Sequence, residues 1–215
     1  MDARNCITLQ ADSVGYPAVL RCCEIDARPP VITVQGNLDL LEGGIIGFFC
    51  SIRCPGDAIL KVYDLARSLR SKDVTLIGGF QSAMEREFLD LVLRGSAKVI
   101  ICPARGLGAM RIPANWRKPL SDGRLLLLSF FDGSISRATS GSAILRNAYV
   151  AALSHSLLIA HAEKGGKNEK LCMDVLARDK PVFTLASPDN ERLMELGAVP
   201  VTADSPLPLL QTDYS

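Results

Sequence analysis

Two hydrophobic rhythms alternate along this chain. Short, predominantly apolar runs recur at 45–49, 74–77, 99–102, 125–129, 157–160, 182–185 and 199–201. Between them lie stretches with helical spacing, at 57–69, 84–93, 113–120, 142–153, 169–178 and 190–196. Met84, Phe88, Leu91 and Val92, for example, fall at i, i+4, i+7 and i+8, one face of a helix. The aliphatic runs are too short and too continuously apolar for half-exposed hairpin strands, so they predict buried parallel strands. Strand–helix alternation with short connections predicts a doubly wound α/β fold, a mostly parallel sheet of six or seven strands with helices on both faces.

Start signals support the helices: Asp57 after Gly56, Pro113 at a first turn, and Ser187-Pro188-Asp189 before Asn190. The first forty residues read differently. Tyr16-Pro17 and Leu20 predict a short helix, Arg28-Pro29-Pro30 a stiffened turn, and Val31 to Val34 an edge strand. Residues 36–41 then turn into a hydrophobic plug. The expected organisation is an N-terminal extension packed on the sheet (1–43), one α/β domain (44–203) and a loose tail (204–215) carrying Pro206 and Pro208.

Length and charge narrow the functional classes. A chain of 215 residues with 48% hydrophobic and 22% charged positions suits one globular domain. A net charge of +1 gives no global basic field, so any polyanion must meet a local patch. No apolar run approaches the roughly 18 residues of a membrane span, and the N-terminus lacks a basic-then-apolar leader, so the expectation is a cytoplasmic protein. Seven cysteines are an odd number for a disulfide framework and point to free thiols in a reducing compartment. Cys50 and Cys54 with His155 and His161 lack paired CxxC spacing, so no metal is expected, and nothing in the chain calls for a cofactor.

Four loops should gather at the carboxyl edge of such a sheet, where ligands of doubly wound folds bind. In the first, Gly78 and Gly79 offer bare amides to a phosphate, Ser82 a hydroxyl, and Glu85 a carboxylate for a ribose hydroxyl. The same spacing equally describes a capping box, with Ser82 as the cap and Glu85 closing it. Arg146, followed by Asn147, is placed at a helix start, where a bound anion or a pairing with Asp132 would offset the helix dipole. Gly165 and Gly166 between Lys164 and Lys167 form either a phosphate loop, without Walker spacing, or a solvated turn. Arg105 either faces the crevice or faces solvent. Phe48, Phe49, Phe80 and Trp116 are the aromatic residues near these loops with which a base could stack. Catalytic signals are poor: no GxSxG elbow occurs, and neither His155 nor His161 has an evident nucleophile beside it.

The order YPAVLR…PPVITVQGNLDLL, then a strand running through Gly47, resembles the start of the DprA/Smf family, the DNA-processing proteins of natural transformation. Gly78-Gly79-Phe80 stands at that family's serine-glycine-leucine turn, Ile100-Ile101-Cys102-Pro103 at its next strand, and Arg146-Asn147 at its arginine-asparagine helix start. The resemblance runs from about Tyr16 to Leu185 and implies a Rossmann-like domain. It also implies a homodimer and a non-enzymatic role in DNA uptake, processing or recombination, with single-stranded DNA as partner. Some expected residues are replaced. The family's glycine-serine-arginine is here Gly47-Phe48-Phe49, leaving Arg53 to supply the arginine, and Gln81-Ser82-Ala83 holds no basic residue. No stretch resembles the winged-helix module that some members carry. Lys164-Gly165-Gly166-Lys167-Asn168-Glu169 also resembles, loosely, the glycine loop of lysine-decarboxylase-like phosphoribohydrolases. That superfamily implies the alternative, a sensor or hydrolase of a phosphate-bearing nucleotide-derived molecule, with Glu85 as the carboxylate for glycosidic-bond hydrolysis.

Overall fold

The structure, a computed structural model, describes residues 6–22, 29–108 and 110–204. Arg28 of the expected turn and the tail from residue 205 lie outside the described residues. The elements run β1 (Ile7–Gln10), α1 (Ala18–Cys22), β2 (Val31–Gly36), β3 (Ile45–Cys50), α2 (Gly56–Leu69), β4 (Thr75–Gly78), α3 (Ala83–Leu93) and β5 (Lys98–Ile101). They continue with α4 (Ala114–Ser121), β6 (Leu125–Ser129), α5 (Ser140–Leu153), β7 (Ser156–His161), α6 (Lys167–Leu176), β8 (Val182–Leu185), α7 (Glu191–Glu195) and β9 (Val199–Val201).

One nine-stranded sheet has the order β1-β2-β6-β5-β4-β3-β7-β8-β9. Strands β3 to β9 are mutually parallel, the seven-stranded core that the hydrophobic rhythm predicts. All residues of β3, β4, β6, β7 and β8 are buried, because helices cover both faces. On one face Ile46, Phe48 and Cys50 of β3 pack with Val62, Leu65 and Leu69 of α2 and Phe88 and Val92 of α3. On the other, Phe49, Leu157 and Ile159 pack with Tyr149 and Val150 of α5 and Val175 of α6. Because β3 lies between β4 and β7, chain order reverses around it. Its carboxyl end is therefore the switch point, where a doubly wound sheet leaves a crevice.

The N-terminal segment corrects the sequence expectation. Strand β2 is not an edge: it pairs antiparallel with β6 on one side and with β1 on the other. The edge strand β1 has four residues, of which only Leu9 is buried, too short a pattern to declare itself. Gly36 ends β2 at φ +120°, with a Cβ there meeting the Leu125 carbonyl at 2.3 Å, so only glycine lets the chain leave the sheet so close to β6. A 3₁₀ turn then buries Leu40 as the plug.

Candidate functional site

The loop after β4 is built around a buried arginine. An added Cβ on Gly79 would lie 1.5 Å from Arg146 Nη1, so the guanidinium fills the space that any side chain at Gly79 would occupy. Arg146 is only 4% exposed. Its Nη1 donates to the Cys102 carbonyl at the end of β5 (2.7 Å), Nη2 to Gln81 Oε1 (3.2 Å) and Nε to Asn147 Oδ1 (2.7 Å). Burial lowers its pKa from the ordinary value, opposed by the nearby charges of Glu85 and Cys102. Arg146 is not at a helix start, as the sequence had placed it, but halfway along α5. The actual start is at Thr139, which forms a capping box with Ser142.

Phe80, next in the loop, adopts φ +49°, a left-handed conformation uncommon for a bulky residue. Its ring is 5% exposed and lies 6.3 Å from Phe48, which in turn stacks on Phe88 at 3.7 Å. Burying a phenylalanine is worth about 1.5–3 kcal/mol, which exceeds the roughly 1–2 kcal/mol cost of the left-handed backbone. Phe48 and Phe49 are likewise core, so three of the four aromatic residues considered for stacking are out of reach of a base. Trp116 is the partly exposed one.

Glu85 serves as a three-way amide acceptor. Its Oε2 accepts from Gln81 N (2.8 Å) and Ser82 N (3.1 Å), and its Oε1 from Cys50 N (3.1 Å). Ser82 Oγ accepts from Glu85 N, completing the capping box that the spacing had allowed. The carboxylate thus joins the end of β3 to the loop after β4, with its lone pairs turned toward backbone rather than toward a ligand.

The remaining loops are tied to the same centre. Ser51 Oγ accepts from Glu163 N (3.1 Å) and from Asn168 Nδ2 (3.4 Å), joining the loops after β3 and β7. Gly165, at φ +70°, donates from its amide to Glu169 Oε2, and Lys167 Nζ reaches Ser140 Oγ at the start of α5 (2.7 Å). Arg105 donates to the Ser136 carbonyl (3.3 Å), and Ser142 Oγ to the Ala104 carbonyl (2.9 Å). Gly78, Gly79, Ser82, Glu85, Arg105, Arg146, Asn147, Gly165, Gly166 and Lys167 therefore share the carboxyl edge. Gly47 does not. It sits inside β3, about 10 Å short of that edge at strand spacing, with Ser154 Oγ 2.6 Å from where its Cβ would be. It is a packing glycine for α5.

Sequence reasoning singled out Arg53, Lys164 and Lys167 among the exposed charges and missed Arg86, Arg111 and Arg137. Arg53, Arg86, Arg111, Arg137, Lys164 and Lys167 are all exposed on carboxyl-edge loops or first helical turns, among the exposed acids Asp57, Asp132, Glu163, Asp189 and Glu191. Arg86, Arg111 and Arg137 are scattered in sequence, and only the adjacency of β4, β5 and β6 puts the segments that carry them side by side at one edge of the sheet. Of the two histidines, His155 precedes β7 and His161 ends it, each with a backbone or core task. His155 Nδ1 accepts from Ile45 N, and His161 Nδ1 pairs with Asn190 Oδ1 at 2.9 Å. Among the described residues no three His, Cys, Asp or Glu side chains come together as metal ligands.

The chain is thus a doubly wound α/β protein whose sheet carries, at its carboxyl edge, a glycine turn and exposed basic side chains, the edge at which such folds bind ligands. More narrowly, the chain belongs to the DNA recombination-mediator protein A family, whose sequence signature matches residues 7–203. It is similar in structure to DNA processing protein A from Streptococcus pneumoniae, with 19% identity over 93% of this chain and 72% of that one, at a TM-score of 0.75. DNA processing protein A from Helicobacter pylori, solved for its single-stranded DNA binding mode, is 18% identical over the whole of both chains, at a TM-score of 0.77. The molybdenum cofactor carrier protein from Chlamydomonas reinhardtii is 17% identical over 79% of this chain and 97% of its own, at a TM-score of 0.54. At these identities the likeness is one of fold. No curated protein matches the chain. Among the described residues no helix is long and apolar enough to cross a membrane.

Proposed function

We propose that the protein binds single-stranded DNA through its phosphates along the carboxyl edge, as a non-catalytic part of DNA processing or recombination in the cytoplasm. The observation that carries this reading is that exposed Arg53, Arg86, Arg111, Arg137, Lys164 and Lys167 all stand on loops or first helical turns at the carboxyl edge of the sheet, where Lys167 reaches Ser140 at the uncharged, polar start of α5. Family membership and the H. pylori relative's binding of single-stranded DNA support it. Phosphate contact rather than base stacking is the expected mode, because Phe48, Phe49 and Phe80 are core residues. Glu85 holds three backbone amides, which favours a structural task for it over that of the carboxylate in the hydrolase alternative. The homodimer implied by the family resemblance belongs to the same proposal and is checked by sedimentation of the free and DNA-bound protein.

The test is fluorescence anisotropy of a labelled oligothymidylate against salt concentration. Six cations at about −0.7 each set a limiting log–log slope near −4. No binding even at low salt would refute the reading. A thermal-shift screen of mononucleotides, run alongside, tests a phosphate-bearing small molecule at the same loops.

A further inference from the structure

A second recess lies at the opposite edge of the sheet from the basic loops, where the parallel strands begin. A cavity of about 700 Å³ opens between the N-terminal segment and the residues that lead into β3, β7 and β8. Pro17, Leu38, Leu41 and Leu153 give it an apolar wall. Leu38 and Leu41 are three apart in the 3₁₀ turn and so share one side of it, while Leu40 between them is core. Both pack on the core yet stay half-buried, with surface left for the recess.

Three nitrogen-bearing side chains line the same cavity: His155 ahead of β7, and Arg178 and Lys180 in the turn from α6 to β8. Lys180 Nζ donates to the Ala151 and Ala152 carbonyls that α5 leaves open at its end. Two acceptors leave one of its three N–H donors without a partner among the described residues. The Arg178 side chain makes no hydrogen bond or ion pair among them. Glu42 and Asp179 also line the cavity, but both are exposed and neither forms an ion pair with the two cations. The charge felt inside is positive. Burial and then Arg178 lower Lys180 to about 8, and burial and then Lys180 lower His155, with no acid offsetting either.

We propose that this recess binds a small organic anion with an apolar body, a carboxylate or sulfonate whose head meets Lys180 and Arg178 and whose body lies on the leucine wall. Cavities of roughly 300–1,000 Å³ take ligands of this kind, mostly apolar with a few placed polar groups. An inorganic anion would leave the leucine wall in water. A neutral apolar molecule would cover the Lys180 donor without pairing it. A molecule with both parts meets both needs. The site shares no residue with the carboxyl-edge loops, so it stands or falls apart from DNA binding.

The probe is 8-anilinonaphthalene-1-sulfonate, which fluoresces in apolar surroundings, titrated into the full chain beside its uncharged counterpart N-phenyl-1-naphthylamine. We expect saturable binding of the sulfonate at one site and binding of the neutral dye at least about tenfold weaker, the loss of a charge-assisted hydrogen bond. Equal affinity for the two dyes overturns the anion site. Lys180→Met and Arg178→Glu should each weaken the sulfonate at least about tenfold. Arg67→Ala, on α2 at the other face of the sheet, should leave it unchanged. Arg178 is exposed, so its variant decides the matter even where Lys180→Met fails to fold. Full affinity in Arg178→Glu, or an equal loss in Arg67→Ala, overturns the site. Sulfonate affinity should fall as pH rises through about 8, where Lys180 discharges, and stay level in Lys180→Met. A level wild-type profile overturns the assignment of the head group to Lys180. Decanoate and 1-naphthoate then compete with the bound dye, which tells an aliphatic body from an aromatic one. Displacement by either supports the site. Displacement by neither leaves an adventitious dye site only and overturns the proposal, as does equal displacement by inorganic phosphate.

Discussion

At Gly79 the absence of one methyl group decides the geometry of the site. The Arg146 guanidinium occupies the volume a Cβ would need, so Gly79→Ala must expel it from three hydrogen bonds. Hydrogen bonds to charged groups contribute about 1.5–3 kcal/mol each, and a displaced, unpaired buried charge adds to the loss. The expected outcome is a destabilisation of at least about 3 kcal/mol, read from the denaturant midpoint. An unchanged midpoint would mean the loop moves freely and Arg146 does not clamp it. Glu85→Gln is a gentler test. The amide keeps one acceptor oxygen, so either Cys50 N or the Gln81–Ser82 pair loses its partner, at a cost of about 1–3 kcal/mol. The capping box was readable from the Ser82–Glu85 spacing, because it is a local pattern. The task of Arg146 was not, because Cys102 and Gln81 lie far from it in the chain.

At the scale of elements, α5 connects the two ends of the sheet. Its start faces the site with Thr139, Ser140 and Ser142. At its other end, Lys180 Nζ donates to the carbonyls of Ala151 (2.6 Å) and Ala152 (3.2 Å). Burial, with the charge of Arg178 nearby, lowers Lys180 to about 8 from the ordinary 10.5. The folded state therefore releases this proton at lower pH than the unfolded chain. Between about 8 and 10.5 the unfolded chain binds more protons, so stability must rise with pH across that window. Lys180→Met should remove this rise, measured as denaturant midpoints of both proteins from pH 7 to 11. Parallel curves would show that the amine is not perturbed. The elements themselves were legible wherever burial on both faces made a run such as β3, β6 or β8 predominantly apolar. Strand β1 was not, since one buried residue in four leaves no rhythm to read.

Across the whole molecule, near-neutrality conceals an uneven distribution. The net charge of +1 correctly excluded a global basic field, yet it carried no information about where the exposed cations gather. That depends on strand order: β3 sits between β4 and β7, which makes neighbours of the segments carrying Arg53, Arg86 and Lys164, while Arg137 follows β6 farther along the same edge. Residue spacing along the chain does not encode that adjacency. The arrangement makes a prediction separable from folding. Arg53 and Arg137 are exposed, so the double change Arg53→Ala with Arg137→Ala should shift stability by no more than about 0.5 kcal/mol per site. If both contact phosphate, oligothymidylate affinity should fall at every salt concentration. The log–log salt slope should lose about 1.4, two contacts at about 0.7 each. A pair placed on a face remote from the carboxyl edge, Arg67→Ala with Lys72→Ala, should leave the slope unchanged. Equal slopes for wild type and the Arg53–Arg137 variant would take those residues out of the interface. A slope lowered as much by the remote pair would mean that the field of the whole surface, not the cations of the carboxyl edge, attracts the strand.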